Sequence, residues 1–82
     1  MKINRHIAIN ANGLVFDASS GDQYSLNATA LTILRLIDEG RSREAIVEQL
    51  TIQYEVAAQE VSRDLADFIA SLKRNKLLAT SD

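Results

Sequence analysis

What most constrains this chain is a change of hydrophobic period at about Leu26. Before that residue apolar side chains alternate at every second position; after it they recur every three or four. The first pattern presents one face of an extended strand to a core, and the second presents one stripe of a helix. A chain that makes this switch once packs a small sheet against the helices that follow it, so the expected fold class is α+β.

In the first third, Ile7 and Ile9 alternate with Ala8 and Asn10, and Leu14 and Phe16 alternate with Val15 and Asp17. Tyr24 and Leu26 continue the alternation, with Gln23 and Ser25 on the opposite face. Asn12-Gly13 separates the first two runs and readily supplies the positive φ angles of a tight hairpin turn. Ser19, Ser20, Gly21 and Asp22 form a second turn cluster. Together they predict a three-stranded antiparallel β-meander at about residues 6–10, 14–18 and 23–26.

Three α-helices are expected to follow. Asn27 is a good N-cap for a helix from about Ala28 to Glu39. There Ala30, Ile33, Leu34 and Ile37 form a stripe widened by Leu31 and Leu36, which marks this helix as the most buried. Gly40 ends it. Ser42 caps a second helix, with Glu44 in the first turn and Ile46, Val47, Leu50 and Tyr54 on one face. A third, from about Ala58 to Arg74, carries Val61, Leu65, Phe68, Ile69 and Leu72 on one stripe, with Glu60 able to reach back to the Ala57 amide. Asn75 is the expected left-handed terminator, after which Leu77 and Leu78 return the chain to the core.

The length of 82 residues fits one domain, with its core at about residues 6–78 and residues 79–82 as a loose tail. Cysteine is absent, so neither disulfides nor thiolate metal sites supplement so small a core. The N-terminal residues lead into no apolar run long enough for a signal peptide, and no stretch is long enough to span a bilayer. The default compartment is the cytoplasm, with no membrane partner. Formal net charge is −2 with the signs mixed, and no basic surface is concentrated enough to neutralise several phosphates.

Nothing in the sequence assembles a catalytic or metal centre. His6 is the only histidine and has no second ligand at metal spacing. Asp38-Glu39 stands at a helix end beside Gly40, a solvated place, and no serine or threonine has an activating base nearby. Gly13, Gly21 and Gly40 stand too far apart for a phosphate loop. The expectation is a protein that is not an enzyme and carries no cofactor and no metal.

One feature stands out instead. In a meander the third strand is an edge, and Asp22-Gln23-Tyr24-Ser25-Leu26 contains neither lysine nor proline to blunt it. Either the third helix covers that edge or another chain adds a strand there. On that helix Glu60, Asp64, Asp67 and Ser71 flank the apolar stripe. Such a stripe is either core with the acids as a solvated face, or a seat for a peptide with apolar anchors and a basic residue.

These residues resemble the PqqD-like family, the recognition elements of ribosomally made, modified peptide pathways. The resemblance is carried by Tyr24-Ser25-Leu26-Asn27-Ala28-Thr29-Ala30, Ile33-Leu34, and Asp38 with Gly40. It continues through Ser42-Arg43-Glu44-Ala45-Ile46, Leu50, Glu60-Val61, Asp64-Leu65, Phe68-Ile69, Leu72 and Leu77-Leu78. It implies a small winged-helix-like fold that binds a precursor's leader peptide and presents it to a modifying enzyme, often a radical SAM protein. Carried over, the leader would add to the strand at Gln23, Tyr24, Ser25 and Leu26, in a cleft lined by Val61, Asp64, Leu65 and Phe68. Glu39 intervenes where the family commonly reads Asp-Gly, and Lys76 stands where it often has glycine. The proline and glutamate typical of the pyrroloquinoline quinone (PQQ) synthesis proteins are missing before Leu26. The pathway is therefore left open between PQQ biosynthesis and another route.

Two other readings compete. A winged-helix DNA binder is opposed by the acids of the third helix and by strands that precede the helices rather than follow them. A protein–protein adaptor or dimerisation domain would pair through the same edge. A monomer or weak homodimer is expected.

Overall fold

Two turns set the sheet. The computed structural model describes residues 1–79, and its strands are β1 (Ile7–Ile9), β2 (Leu14–Asp17) and β3 (Gln23–Ser25). They form one antiparallel sheet in the order β1-β2-β3, with Ile9 opposite Val15 and Val15 opposite Tyr24. The first turn differs from the expected Asn-Gly hairpin, because Gly13 alone takes a positive φ, of 86°. The asparagine that shapes it is Asn10, whose Oδ1 accepts the amides of Asn12 and Leu14 at 2.9 and 3.0 Å. A Cβ on Gly13 would stand 2.7 Å from the Leu26 carbonyl oxygen, so the close passage of the chain beyond β3 demands glycine there.

Either pair of side chains on β2 could face inward. Val15 and Asp17 do so, while Leu14 and Phe16 remain 38% and 39% exposed. An inward aspartate is tolerated because its carboxylate is satisfied: Oδ1 accepts both the amide and the hydroxyl of Ser19, at 2.9 and 2.6 Å. The Ser19 hydroxyl holds its carboxyl below the ordinary value of 3.8, against the opposing effect of burial. His6 Nε2 lies 3.7 Å away.

The helices are α1 (Ala28–Asp38), α2 (Arg43–Tyr54) and α3 (Ala58–Arg74). Asn27 caps α1 by accepting the Ala30 amide at 2.8 Å, and Ser42 caps α2 by accepting that of Ala45 at 3.1 Å. Gly40, at φ 85°, ends α1 as expected. Of the other two terminations, the sequence singles out no residue for α2 and expects Asn75 for α3. Glu55 takes the left-handed conformation after α2, and after α3 Lys76 does so in place of Asn75. Asn75 stays right-handed and donates its side-chain amide to the Ser71 carbonyl at 2.9 Å. Lys76 then closes the helix, with the Leu77 amide reaching the Leu72 carbonyl at 2.9 Å. That turn sends both Leu77 and Leu78 into the core.

One cluster joins Val15 to Ile33, Leu34, Leu36 and Ile37 of α1, Ile46 and Leu50 of α2, and Leu65, Ile69 and Leu72 of α3, closed by Leu77 and Leu78. The start of the chain also belongs to it, which the expected boundary at residue 6 misses. Ile3 bridges Leu78, and Asn4 donates its side-chain amide to the carbonyls of Lys76 and Leu78. Ala79, expected in a loose tail, donates its amide to the Lys2 carbonyl at 2.9 Å. The rest of that tail lies outside the described residues.

Candidate functional site

The open edge of β3 can be read bond by bond. Asp17 donates its amide to the Asp22 carbonyl at 2.9 Å, and Leu26 donates to the Gly13 carbonyl at 2.8 Å. Bonded and non-bonded pairs alternate along an antiparallel ladder. The bonded pairs are therefore Asp17 with Asp22, Val15 with Tyr24, and Gly13 with Leu26. Tyr24 and Leu26 turn their amides toward β2, while Gln23 and Ser25 turn their N–H and C=O groups away from the sheet. Among the described residues no strand stands beside those outward groups. No Cα of β3 lies within 8 Å of a Cα of α3, so that helix does not lie against the edge.

Side chains follow the opposite rule. Tyr24 and Leu26 are half-buried and pack against the core cluster, whereas Gln23 and Ser25 are exposed. A strand added at β3 would thus meet backbone from Gln23 and Ser25, while the side chains of Tyr24 and Leu26 stay packed on the core.

The cleft wall comes from α3. Val61 and Phe68 are half-buried against the core, and Asp64 is exposed. Leu65 is only 2% exposed and belongs to the core; it reaches the site as floor rather than wall. Val61, Asp64 and Leu65 converge on an apolar pocket of about 180 Å³, completed by Ile33 of α1 and by Leu50 and Tyr54 of α2. Phe68 does not line it. The Tyr54 hydroxyl stands 3.5 Å from Thr29 Oγ1, joining the end of α2 to the first turn of α1. Thr29 is only three residues beyond Leu26, so the pocket lies close to where β3 runs out.

Sequence reasoning misses Thr29 and Ile33 of α1, Leu50 and Tyr54 of α2, and Val56 of the link to α3 as pocket residues. No spacing within one element signals that α1 and α2 bring these side chains to face α3. Glu60, Asp64 and Asp67 are exposed and, among the described residues, none forms an ion pair. Among the described residues no group of three or more His, Cys, Asp or Glu could hold a metal, and no helix is long and apolar enough to cross a membrane.

Backbone groups that face outward on an edge strand are ones to which an extended peptide can add, and the apolar pocket walled by Asp64 reaches Thr29 in the first turn of the helix that follows β3. The family described as coenzyme PQQ synthesis protein D (PqqD) matches residues 12–78, and the chain belongs to that family. No curated protein matches it significantly. Among solved structures it is similar to a lasso peptide synthetase B1 complexed with the leader peptide. That similarity has 30% identity, 93% coverage of each chain and a TM-score of 0.85. It is also similar to TbiB1 in complex with the TbiA(beta) leader peptide, at 28% identity and a TM-score of 0.91, covering 100% of this chain and 99% of that one.

Proposed function

We propose that this chain binds the leader segment of a ribosomally made precursor peptide by strand addition at β3 and presents it to a modifying enzyme, catalysing nothing itself. The observation that carries this reading is the pair of outward-facing backbone positions, Gln23 and Ser25, on an edge with no neighbouring strand among the described residues. Both similar solved structures are described with a leader peptide.

The energetics suit a selective but reversible binder. Two outward residues offer up to four main-chain hydrogen bonds, each contributing about 0.5–1.5 kcal/mol net. One apolar anchor seated in the pocket beside Val61 adds about 1.5–3 kcal/mol. Ordering a flexible leader offsets part of that sum. Affinity then comes mainly from backbone, and selectivity from the pocket and from Asp64 at its wall. The family's description points to cofactor synthesis and one solved neighbour to lasso peptide synthesis, so the receiving enzyme follows from which precursor binds.

An amide-resolved NMR titration with leader segments of candidate precursors tests this. Binding predicts shifts concentrated at Gln23–Leu26 and in the first half of α3. If several leaders leave those amides unmoved while duplex DNA moves them, the DNA-binding reading replaces this one. Exposed Glu60, Asp64 and Asp67 on α3 argue against that outcome, because phosphates would be repelled.

A further inference from the structure

We infer that the outer groove between α2 and α3 is a second interaction surface, one that takes a basic amphipathic helix of a partner protein. Glu44, Val47, Glu48, Thr51 and Ile52 form one stripe along α2 at helical spacing, and Ala58 and Ser62 face them from α3. Between them lies an open groove of about 450 Å³.

Three independent features mark it. Ile52 is 72% exposed, the most exposed of the large apolar side chains, and it sits on the groove wall rather than toward the core. The Thr51 hydroxyl oxygen is buried with no hydrogen-bond partner among the described residues. A helical threonine ordinarily bonds back to the carbonyl four residues earlier, as Thr32 does to Ala28 at 3.0 Å. The rim carries two acids, Glu44 and Glu48, neither of them in an ion pair among the described residues. The nearby Arg41 is engaged elsewhere, 3.5 Å from Glu39.

These features select the occupant. A groove between two helices accepts a third helix through apolar anchors at i, i+3, i+4 and i+7. Small residues on the α3 side, Ala58 and Ser62, permit close approach. The unpaired acids favour a helix whose flanks are basic. A second copy of this chain is disfavoured, since it would bring a like-charged acidic rim. Leu50 and Tyr54 lie on the other side of α2 and line the strand-side pocket. The two surfaces are therefore separate, and a peptide at β3 leaves this groove free.

The probe is a helical peptide of about 15 residues with leucines at i, i+3, i+4 and i+7 flanked by lysines, beside a control with glutamates in place of the lysines. Amide-resolved NMR of the full chain should show shifts at Val47, Thr51, Ile52, Ala58 and Ser62 with the basic peptide alone. Ile52→Glu, at an exposed position that leaves the fold intact, should weaken binding at least about tenfold. Glu44→Lys combined with Glu48→Lys should reverse the preference between the two peptides. Equal binding of both peptides, shifts confined to β3 and the face of α3 beside it, no binding at all, or an unaffected Ile52→Glu would each overturn the inference. A parallel titration with a precursor leader reads β3 separately, so failure here is distinguishable from failure of the strand-addition reading.

Discussion

Replacing Ser25 with proline isolates the outward edge of β3 from its inward one. Tyr24 carries the main-chain bonds to Val15, and Leu26 donates to Gly13, so the Ser25 amide is not used by the sheet. Proline is tolerated at an edge position whose N–H faces away, and it holds the preceding residue in the extended region that Tyr24 already occupies. Stability should fall by less than about 1 kcal/mol, which for a domain of this size lowers Tm by no more than about 4–8 °C. Binding should suffer more. The ring removes one donor and sets its Cδ where the added strand's carbonyl must approach to about 2.9 Å. Losing that bond and weakening its neighbour costs about 1–2 kcal/mol, a roughly 5- to 30-fold loss of affinity. Calorimetric titration with a leader, alongside a thermal melt of each variant, reads both quantities. Tyr24→Pro is the contrast, because it breaks a bond to β2 and should unfold the sheet's edge at a visibly lower Tm. A folded Ser25→Pro protein that binds leader as tightly as the parent would refute the edge assignment.

Other perturbations test the framework that holds this edge. Gly13→Ala imposes left-handed strain of about 1–2 kcal/mol and drives a Cβ toward the Leu26 carbonyl, so denaturant unfolding should show at least that loss. Glu55→Gly relieves a left-handed residue at the end of α2 and should stabilise the protein by about 1 kcal/mol, read as a rise in Tm. Val61→Asp should leave a folded protein with weakened leader binding, whereas Leu65→Asp, at a position 2% exposed, should unfold it; circular dichroism with the same titration separates the two. The lowered Asp17 pKa means that its folded carboxylate holds its proton less readily than the unfolded one. Its contribution is therefore present above about pH 3.8 and lost as pH falls through the depressed folded value. In acid titrations followed by fluorescence or circular dichroism, Asp17→Asn should flatten that limb.

The parts of this fold that are legible in sequence are those fixed by near neighbours. Asn27 and Ser42 cap their helices because each needs only an amide three residues ahead, and Gly40 ends α1 because its backbone freedom is intrinsic. Positions decided by distant packing are not legible. The period of β2 marks two faces but not which is inward; packing of Val15 against the helices decides it, and the nearby Ser19 hydroxyl only makes the inward Asp17 tolerable. Lys76 takes the left-handed conformation that Asn75 would suit better, because Leu77 and Leu78 must both enter the core from that turn. The pairing of residues 2–4 with residues 77–79 joins opposite ends of the chain and has no local signal. At the candidate site, the missing edge protection of β3 is visible in composition, but the division between outward Gln23 and Ser25 and inward Tyr24 requires the register. Likewise the helical period groups Val61, Leu65 and Phe68 on one stripe without separating wall from floor.

That division supplies the most direct test of strand addition. Amide hydrogen exchange, resolved at Gln23, Tyr24 and Ser25 with and without a bound leader, reads the edge one residue at a time. In the free protein the Tyr24 amide should exchange slowly, because it faces Val15, while Gln23 and Ser25 exchange fast. Saturation with leader should slow Gln23 and Ser25 and leave Tyr24 as it was. Protection confined to Val61 and its neighbours on α3, with Gln23 and Ser25 still fast, would mean that the peptide lies in the cleft without joining the sheet.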